Sequence, residues 1–196
     1  MRNIPLSAVA LCATTAAALA CPTASDLATG VRVSNAAGES ETFTRLADGN
    51  TASRFRDPDG FESEAVLING LFMVTAYDIQ NGRPDLDTLI QYVYDPTAVP
   101  LPEPKANFTW SDTVVYVENN RGQREQHTYD FGARTTIRYG SCQYAMIPVT
   151  GRFGTAPSDQ ETYHYLSDLG LSYLVESGTG ADKLSYAYTR IEAITD

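Results

Sequence analysis

Alternation of apolar and polar residues is the feature that most limits how this chain can fold. Residues 41–46, 142–146 and 184–188 alternate, and residues 113–117 and 171–175 are short runs rich in β-branched and aromatic side chains. A period of two places successive side chains on opposite faces of a β-strand. The sequence therefore predicts a protein built from short, half-buried strands.

Turn-forming residues separate these runs at short intervals. The turn signals are Ala47-Asp48-Gly49-Asn50, Asp57-Pro58-Asp59-Gly60, Asn69-Gly70, Asn81-Gly82, Asn119-Asn120-Arg121-Gly122 and Ser177-Gly178-Thr179-Gly180. Asn-Gly pairs between strands are typical of tight hairpins. We expect an all-β fold of about ten to twelve strands, an antiparallel meander that forms a curved sheet, a half-barrel or a barrel.

Two segments leave a choice open. Leu86, Leu89, Ile90 and Val93 have helical spacing, yet residues 88–94 also suit a strand, which we favour. Residues 95–106 contain four prolines, which favour an extended conformation and interrupt ladder pairing. This Pro-rich connection is either a linker between subdomains or a long connection inside one sheet, and we favour the second.

The N-terminus is typical of a secretory signal peptide. An uncharged stretch from Ile4 to Ala20 ends in the small-x-small pattern Ala18-Leu19-Ala20, at which a signal peptidase cleaves. A retained membrane anchor is the alternative. We expect residues 1–20 to be removed and residues 21–196 to form a single β-rich domain in the periplasm or outside the cell.

Two cysteines remain after such cleavage, and they allow three interpretations. In an oxidising compartment Cys21 and Cys142 are expected to form a disulfide. Alternatively Cys21 is lipidated, although Ala18 stands where bacterial lipoproteins usually have Leu. A reactive Cys142 thiol is the third possibility, without a basic neighbour in the sequence to activate it. We predict the disulfide, and membrane attachment only if Cys21 is lipidated.

Charge and motifs exclude several classes of function. The formal net charge of −10 disfavours nucleic acid and anionic membranes as partners. Residues 57–64 resemble a calcium loop, but Ile68 stands where an EF-hand needs an acid, so a hairpin turn is expected. His127 and His164 lack zinc-ligand spacing. Neither a nucleophile elbow nor a nucleotide fingerprint is present, and no cofactor is predicted.

Tyrosine is concentrated in the second half of the chain, where nine of the twelve follow Trp110. Tyr163 and Tyr165 share one strand face, as do Tyr186 and Tyr188. Tyrosine combines an apolar ring with a polar tip, which suits a ligand-binding surface, although cross-strand packing explains such pairs equally well. These four tyrosines are the candidate ligand surface.

The second half also carries a family resemblance. The segments concerned are Tyr139-Gly140-Ser141-Cys142-Gln143-Tyr144, Ile147-Pro148-Val149 and Tyr163-His164-Tyr165-Leu166-Ser167-Asp168-Leu169-Gly170-Leu171. In these the chain resembles small exported β-rich proteins of alphaproteobacteria that have no assigned activity. The wider group includes curved-sheet envelope proteins, some of which hold lipids, so the resemblance implies a fold rather than a function.

Taken together, these features predict an exported, non-enzymatic protein that binds an apolar ligand or an envelope partner on a curved, Tyr-rich sheet. One alternative is a hydrolase whose site is assembled from scattered acids such as Asp78, Asp85 and Asp87. The other is a purely structural envelope protein.

Overall fold

The computed structural model describes residues 20–95, 101–154 and 160–195, and these contain one antiparallel sheet of fourteen strands. The strands are β1 (Val31–Ser34), β2 (Ser40–Arg45), β3 (Thr51–Arg56), β4 (Glu62–Ile68), β5 (Phe72–Gln80), β6 (Arg83–Val93), β7 (Phe108–Glu118), β8 (Arg121–Phe131), β9 (Thr135–Tyr139), β10 (Cys142–Phe153), β11 (Gln160–Leu166), β12 (Leu171–Ser177), β13 (Leu184–Ser185) and β14 (Arg190–Ala193). Short 3-10 helices span Ala24–Ala28 and Gly180–Asp182. Neither of these helices has the length and apolar character needed to cross a membrane.

The all-β meander expected from the alternation is confirmed. Strands β1 to β8 are hydrogen-bonded in sequence order, and β10 to β13 continue the sheet from β8, while β14 returns to pair with β1. The strand count exceeds the expected ten to twelve because β9 and β14 are short pieces without a clear alternation of their own. The sheet is not closed into a barrel.

Asparagine and glycine make the tight turns as the sequence predicts. Asn69 and Gly70 have φ values of 52° and 67°, and Asn119 and Asn120 have 49° and 58°. Two consecutive positive φ values define the hairpin turn whose twist matches that of the flanking strands. The segment with ambiguous spacing lies in β6, so the strand interpretation was right.

The Pro-rich connection joins two strands that are neighbours in the same sheet. Its residues 96–100 lie outside the described part of the chain. Strands β6 and β7 on either side of it pair directly, with Tyr92 opposite Tyr116. Leu101 packs against the hydrophobic core, and the side chain of Asn69 donates a hydrogen bond to the carbonyl of Pro102. The described part of the connection therefore lies against the β4–β5 turn.

The sheet coils so strongly that its C-terminal strands are covered on both faces. Leu171, Ser172 and Tyr173 follow one another in β12 and are all buried. In a sheet covered on one face only, every second side chain would face solvent. In β10, Tyr144 and Met146 face a first core shared with β1, β2 and β14, whereas Ile147 and Val149 face a second core shared with β5, β7 and β8. Pro148, which has no N–H, lies where the neighbour of β10 changes from β9 to β8.

A disulfide fastens the first described residues to this coil. Cys21 and Cys142 are bonded, with their Cα atoms 5.4 Å apart, and the Tyr144 hydroxyl donates a hydrogen bond to the Pro22 carbonyl. The sulfur of Cys21 is thus unavailable for lipidation, and Cys142 carries no free thiol. This disulfide, with Cys142 buried and Cys21 exposed, is consistent with an oxidising, extracytoplasmic compartment.

Candidate functional site

The two edges of the sheet approach each other, and the residues between them frame a cleft. Strand β13 lies at one edge and β14 at the other, yet only the four residues 186–189 connect them. This connection, the seam segment, is hydrogen-bonded to both sides: Tyr186 N donates to the Val175 carbonyl and Thr189 N to the Ser34 carbonyl, at 2.8 and 2.9 Å. The expected strand at 184–188 is therefore limited to its first two residues.

A cleft of about 270 Å³ opens beside the seam segment. We call it the seam cleft, and its walls include Glu41, Phe55, Phe61, Ser63, Tyr186 and Tyr188. Leu174 of β12 completes the lining. The rings of Phe55 and Tyr186 stand nearly perpendicular, with centroids 6.5 Å apart, and Phe61 lies 6.4 Å from Phe55 on the other side. Apolar rings from three separate parts of the chain thus enclose one carboxyl group.

Glu41 projects inward because it shares its phase in β2 with the fully buried Phe43. Its register partners are Val33 of β1 and Phe55 of β3, both apolar. The buried Ser53 hydroxyl donates a hydrogen bond to the Glu41 carboxylate. Burial raises the pKa of Glu41 to about 7, and the Ser53 hydrogen bond only partly opposes that shift. Glu41 is therefore a carboxyl group poised to ionise near neutral pH.

A second cleft, of about 410 Å³, lies on the other side of the seam segment and shares Tyr186 and Tyr188 with the first. It contains a hydrogen-bonded chain of ring groups. The Tyr173 hydroxyl contacts the Tyr139 hydroxyl and lies 3.1 Å from His164 Nδ1. Burial lowers the pKa of His164 and raises that of Tyr173 well above its usual range, so both side chains are neutral at neutral pH.

A third cleft, of about 350 Å³, lies on the concave face of β6, β7, β8 and β11. Two carboxyl groups line it, Glu125 and Glu161, among the rings of Tyr92, Tyr116 and Phe153. Behind it, the fully buried His127 places Nε2 2.6 Å from Glu125, while its Nδ1 has no hydrogen-bond partner. Burial lowers the pKa of His127, against the opposing effect of Glu125.

A fourth cleft, of about 500 Å³, borders Ala20, the disulfide and the end of β14. It lies where the chain continues from residues 1–19, which are outside the described part. We therefore base no functional argument on it.

The four candidate tyrosines lie at two different places. Tyr186 and Tyr188 line the seam cleft, whereas Tyr163 and Tyr165 belong to the second core, opposite Val149 and Ile147 of β10. The Tyr163 hydroxyl donates to Glu161, which brings it next to the third cleft. The four side chains therefore do not form one continuous surface.

The three acids named for the hydrolase alternative, Asp78, Asp85 and Asp87, lie on the neighbouring strands β5 and β6. Asp78 of β5 and Asp85 of β6 are direct register partners, and the Asp87 amide donates a hydrogen bond to Asp85. Asp78 lies in the same cross-strand row as Glu41 but three strands away, about 14 Å at the usual strand spacing, and Asp85 lies one strand further. The clefts on either side of the seam segment are lined by other residues, and the hydrolase alternative stays a prediction.

Within the described ranges, no three His, Cys, Asp or Glu side chains are grouped closely enough to hold a metal ion. The calcium-loop-like run forms the β3–β4 turn: the Asp57 carboxylate accepts from the Phe61 amide, and Glu62 pairs with Arg54 and Arg56. The hairpin turn predicted for this run is present.

The sequence did not single out Glu41, which lines the seam cleft, and it marked His127, which lies behind the third cleft, only as a histidine without zinc-ligand spacing. Each occupies the inward phase of an alternating strand, next to Phe43 and Tyr129 respectively. A charged or titratable residue at a core-facing position is the signal that could have identified them.

Comparison of the chain with protein-family models, with curated proteins and with solved structures found no match.

Proposed function

We propose that this protein is exported and, without catalysing a reaction, binds a small, partly apolar ligand in the seam cleft. The observation that carries the proposal is the enclosure of a single carboxyl group, Glu41, by the rings of Phe55, Phe61, Tyr186 and Tyr188. Ligand sites commonly combine apolar and aromatic walls with very few polar groups that orient the ligand. A cleft of about 270 Å³ suits a metabolite-sized molecule or the head of a longer one.

Export to the periplasm, or beyond it, is part of the proposal. It is supported by the apolar stretch before Ala20, by the Cys21–Cys142 disulfide, and by the resemblance of the second half of the chain to exported proteins. A binding protein in this compartment needs no energy source or cofactor to act.

The neutral fluorescent probe N-phenyl-1-naphthylamine tests the binding step. We expect one probe molecule per chain, with enhanced fluorescence. Ser63→Phe places a ring inside the seam cleft and should reduce probe binding at least about tenfold. Ser40→Phe is the matched control, because Ser40 lies on the opposite face of the same sheet and lines a different cleft. Equal binding by both variants, or no binding by the native protein, would refute the seam cleft as a ligand site.

Native mass spectrometry of the protein purified from its own host separates ligand binding from a structural role. We expect a bound mass of a few hundred daltons that is absent from Ser63→Phe. Stoichiometric co-purification of an envelope protein with both variants, and no small-molecule mass, would instead identify a structural role.

A further inference from the structure

The walls of the seam cleft share one electrostatic property, and it goes beyond a preference for apolar ligands. None of the residues that line the cleft is basic. Aromatic rings present a negative face, and Glu41 is the only carboxyl group in the lining. The ring faces and the carboxyl group of the lining therefore both attract positive charge, and its hydroxyl groups can either donate or accept a hydrogen bond.

Arg45 shares the inward phase of Glu41 in β2, but it donates hydrogen bonds to the carbonyls of Gly49 and Gly170 and does not line the cleft. The other basic side chains of this part of the sheet point away from the cleft. Arg32, Arg54 and Arg56 alternate with inward residues and line a separate cleft on the outer face, with Ser40 and Thr42. Arg54 and Arg56 are engaged there by Glu62. The hydrogen-bond partner of Glu41 is the neutral Ser53 hydroxyl. When Glu41 ionises, its charge is therefore left without a counter-ion in the cleft.

The ring geometry suits a rounded, weakly hydrated cation. The near-perpendicular pair of Phe55 and Tyr186 forms two adjoining walls, and Phe61 extends them at the mouth, where it is 47% exposed. A cation within about 6 Å of such ring centroids is stabilised by the ring quadrupoles, most strongly where water is excluded. The formal net charge of −10 further favours the approach of cations and disfavours phosphate or carboxylate ligands.

From these observations we propose that the ligand of the seam cleft is an organic cation, a quaternary or fully methylated ammonium group, with Glu41 as its counter-ion and the rings of Phe55, Phe61 and Tyr186 around its methyl groups. This inference rests on the seam cleft being the ligand site proposed above. It adds the chemical class of the ligand and predicts discrimination against neutral molecules of the same shape.

Choline and its neutral isostere 3,3-dimethylbutan-1-ol form the matched pair of probes for the full exported protein. We would measure binding by isothermal titration calorimetry at pH 8, above the pKa of about 7 of Glu41. Choline should bind at least about tenfold more tightly than the isostere. Glu41→Gln should remove this difference by weakening choline alone.

Glu161→Gln is the control variant, because Glu161 is also a buried carboxyl that accepts a hydroxyl hydrogen bond but lines the third cleft. It should leave choline binding in the seam cleft unchanged. Equal affinity for choline and the isostere, or an unaffected Glu41→Gln variant, would overturn the cation inference. If N-phenyl-1-naphthylamine still binds and Ser63→Phe still blocks it, the proposed ligand-binding function survives that result. Failure of both probes overturns both proposals.

Discussion

At the scale of single residues, Glu41 is a carboxyl group in a position that lowers the stability of the fold when the group is ionised. It lies between Val33 and Phe55 in a row of core-facing residues, where a neutral side chain would be less costly. Its hydrogen bond from Ser53 compensates for only part of the lost hydration. A destabilising carboxyl group of this kind is common at functional sites, where a ligand supplies the missing charge.

This destabilisation predicts a pH-dependent effect of Glu41→Gln on stability. The pKa of Glu41 is about 7 in the folded protein and 4.5 in a free side chain, so the folded state binds more protons between these values. Stability contributed by this group therefore falls as the pH rises from about 4.5 to 7. Gln keeps an acceptor for Ser53 but cannot ionise. The stability of the variant relative to the native protein should therefore be greater at pH 8 than at pH 5 by on the order of 2 kcal/mol.

Urea unfolding at pH 5 and pH 8 measures this difference. Tyr173 and Tyr188, the ionisable groups that face Glu41, have raised pKa values and stay neutral over this range. Asp59→Asn in the exposed β3–β4 turn is the control and should show no comparable change between the two pH values. A Glu41→Gln variant whose stability relative to the native protein does not rise from pH 5 to pH 8 would contradict the assignment.

At the scale of strands and turns, the β4–β5 hairpin is the element that locks the coil. Its turn residue Gly70 accepts two hydrogen bonds from Ser172 of β12, from the backbone amide and the hydroxyl, both at 2.8 Å. A Cβ on Gly70 would lie 2.1 Å from the Gly170 carbonyl oxygen. The tip of one hairpin therefore touches the turn of another without space for a side chain.

Gly70→Ala should consequently cost far more than the same change in a free turn. Gly82 provides the comparison, since it has φ 73° against 67° for Gly70, also follows an asparagine, and has nothing within 4 Å of its Cβ position. We expect Gly82→Ala to cost about 1 kcal/mol from the left-handed backbone alone, and Gly70→Ala about 3 kcal/mol or more. Urea midpoints at constant m-value give both numbers. Equal costs would mean that the hairpin contact does not stabilise the fold.

The elements differ in how well the sequence could predict them. Strands such as β2 and turns such as Asn69-Gly70 are local, because alternation and positive φ depend on neighbouring residues only. β10 is different, because Met146 faces the first core and the next residue, Ile147, faces the second core. Which side chains are buried there depends on the distant strands that cover each face. The seam cleft is equally hard to predict from the sequence, because Glu41 and Tyr186 line it together only when distant strands coil together. Composition indicated tyrosine as a ligand-binding residue, but it could not bring Tyr186 beside Glu41.

At the scale of the whole molecule, the coil is defined by how closely its two edges approach. Laid flat, the thirteen strands on the path from β13 to β14 would span about 58 Å. The seam segment, however, allows at most about 17 Å between Ser185 and Arg190. The sheet must therefore curve through most of a turn, and the seam cleft is a consequence of that curvature.

The Cys21–Cys142 disulfide should stabilise this closed arrangement. It joins the chain just before the Ala24–Ala28 helix, whose Leu27 is fully buried in the first core, to β10 on the far side of that core. A crosslink between residues 121 apart in sequence is worth up to about 5 kcal/mol by the chain-entropy estimate. Reduction should therefore lower the urea midpoint strongly and weaken probe binding in the seam cleft, because packing and the Tyr144–Pro22 hydrogen bond would have to hold the N-terminal strands to β10 without the crosslink.

The measurement is urea unfolding with and without a phosphine reductant, together with N-phenyl-1-naphthylamine binding under the same conditions. A Cys21→Ser/Cys142→Ser double variant should behave like the reduced protein and be insensitive to the reductant. Cys142 is buried in the first core, so Cys142→Ala in the Cys21→Ser background separates loss of the crosslink from burial of a hydroxyl. If reduction leaves both the midpoint and probe binding unchanged, packing across the first core closes the coil by itself, and the disulfide adds nothing to the seam cleft.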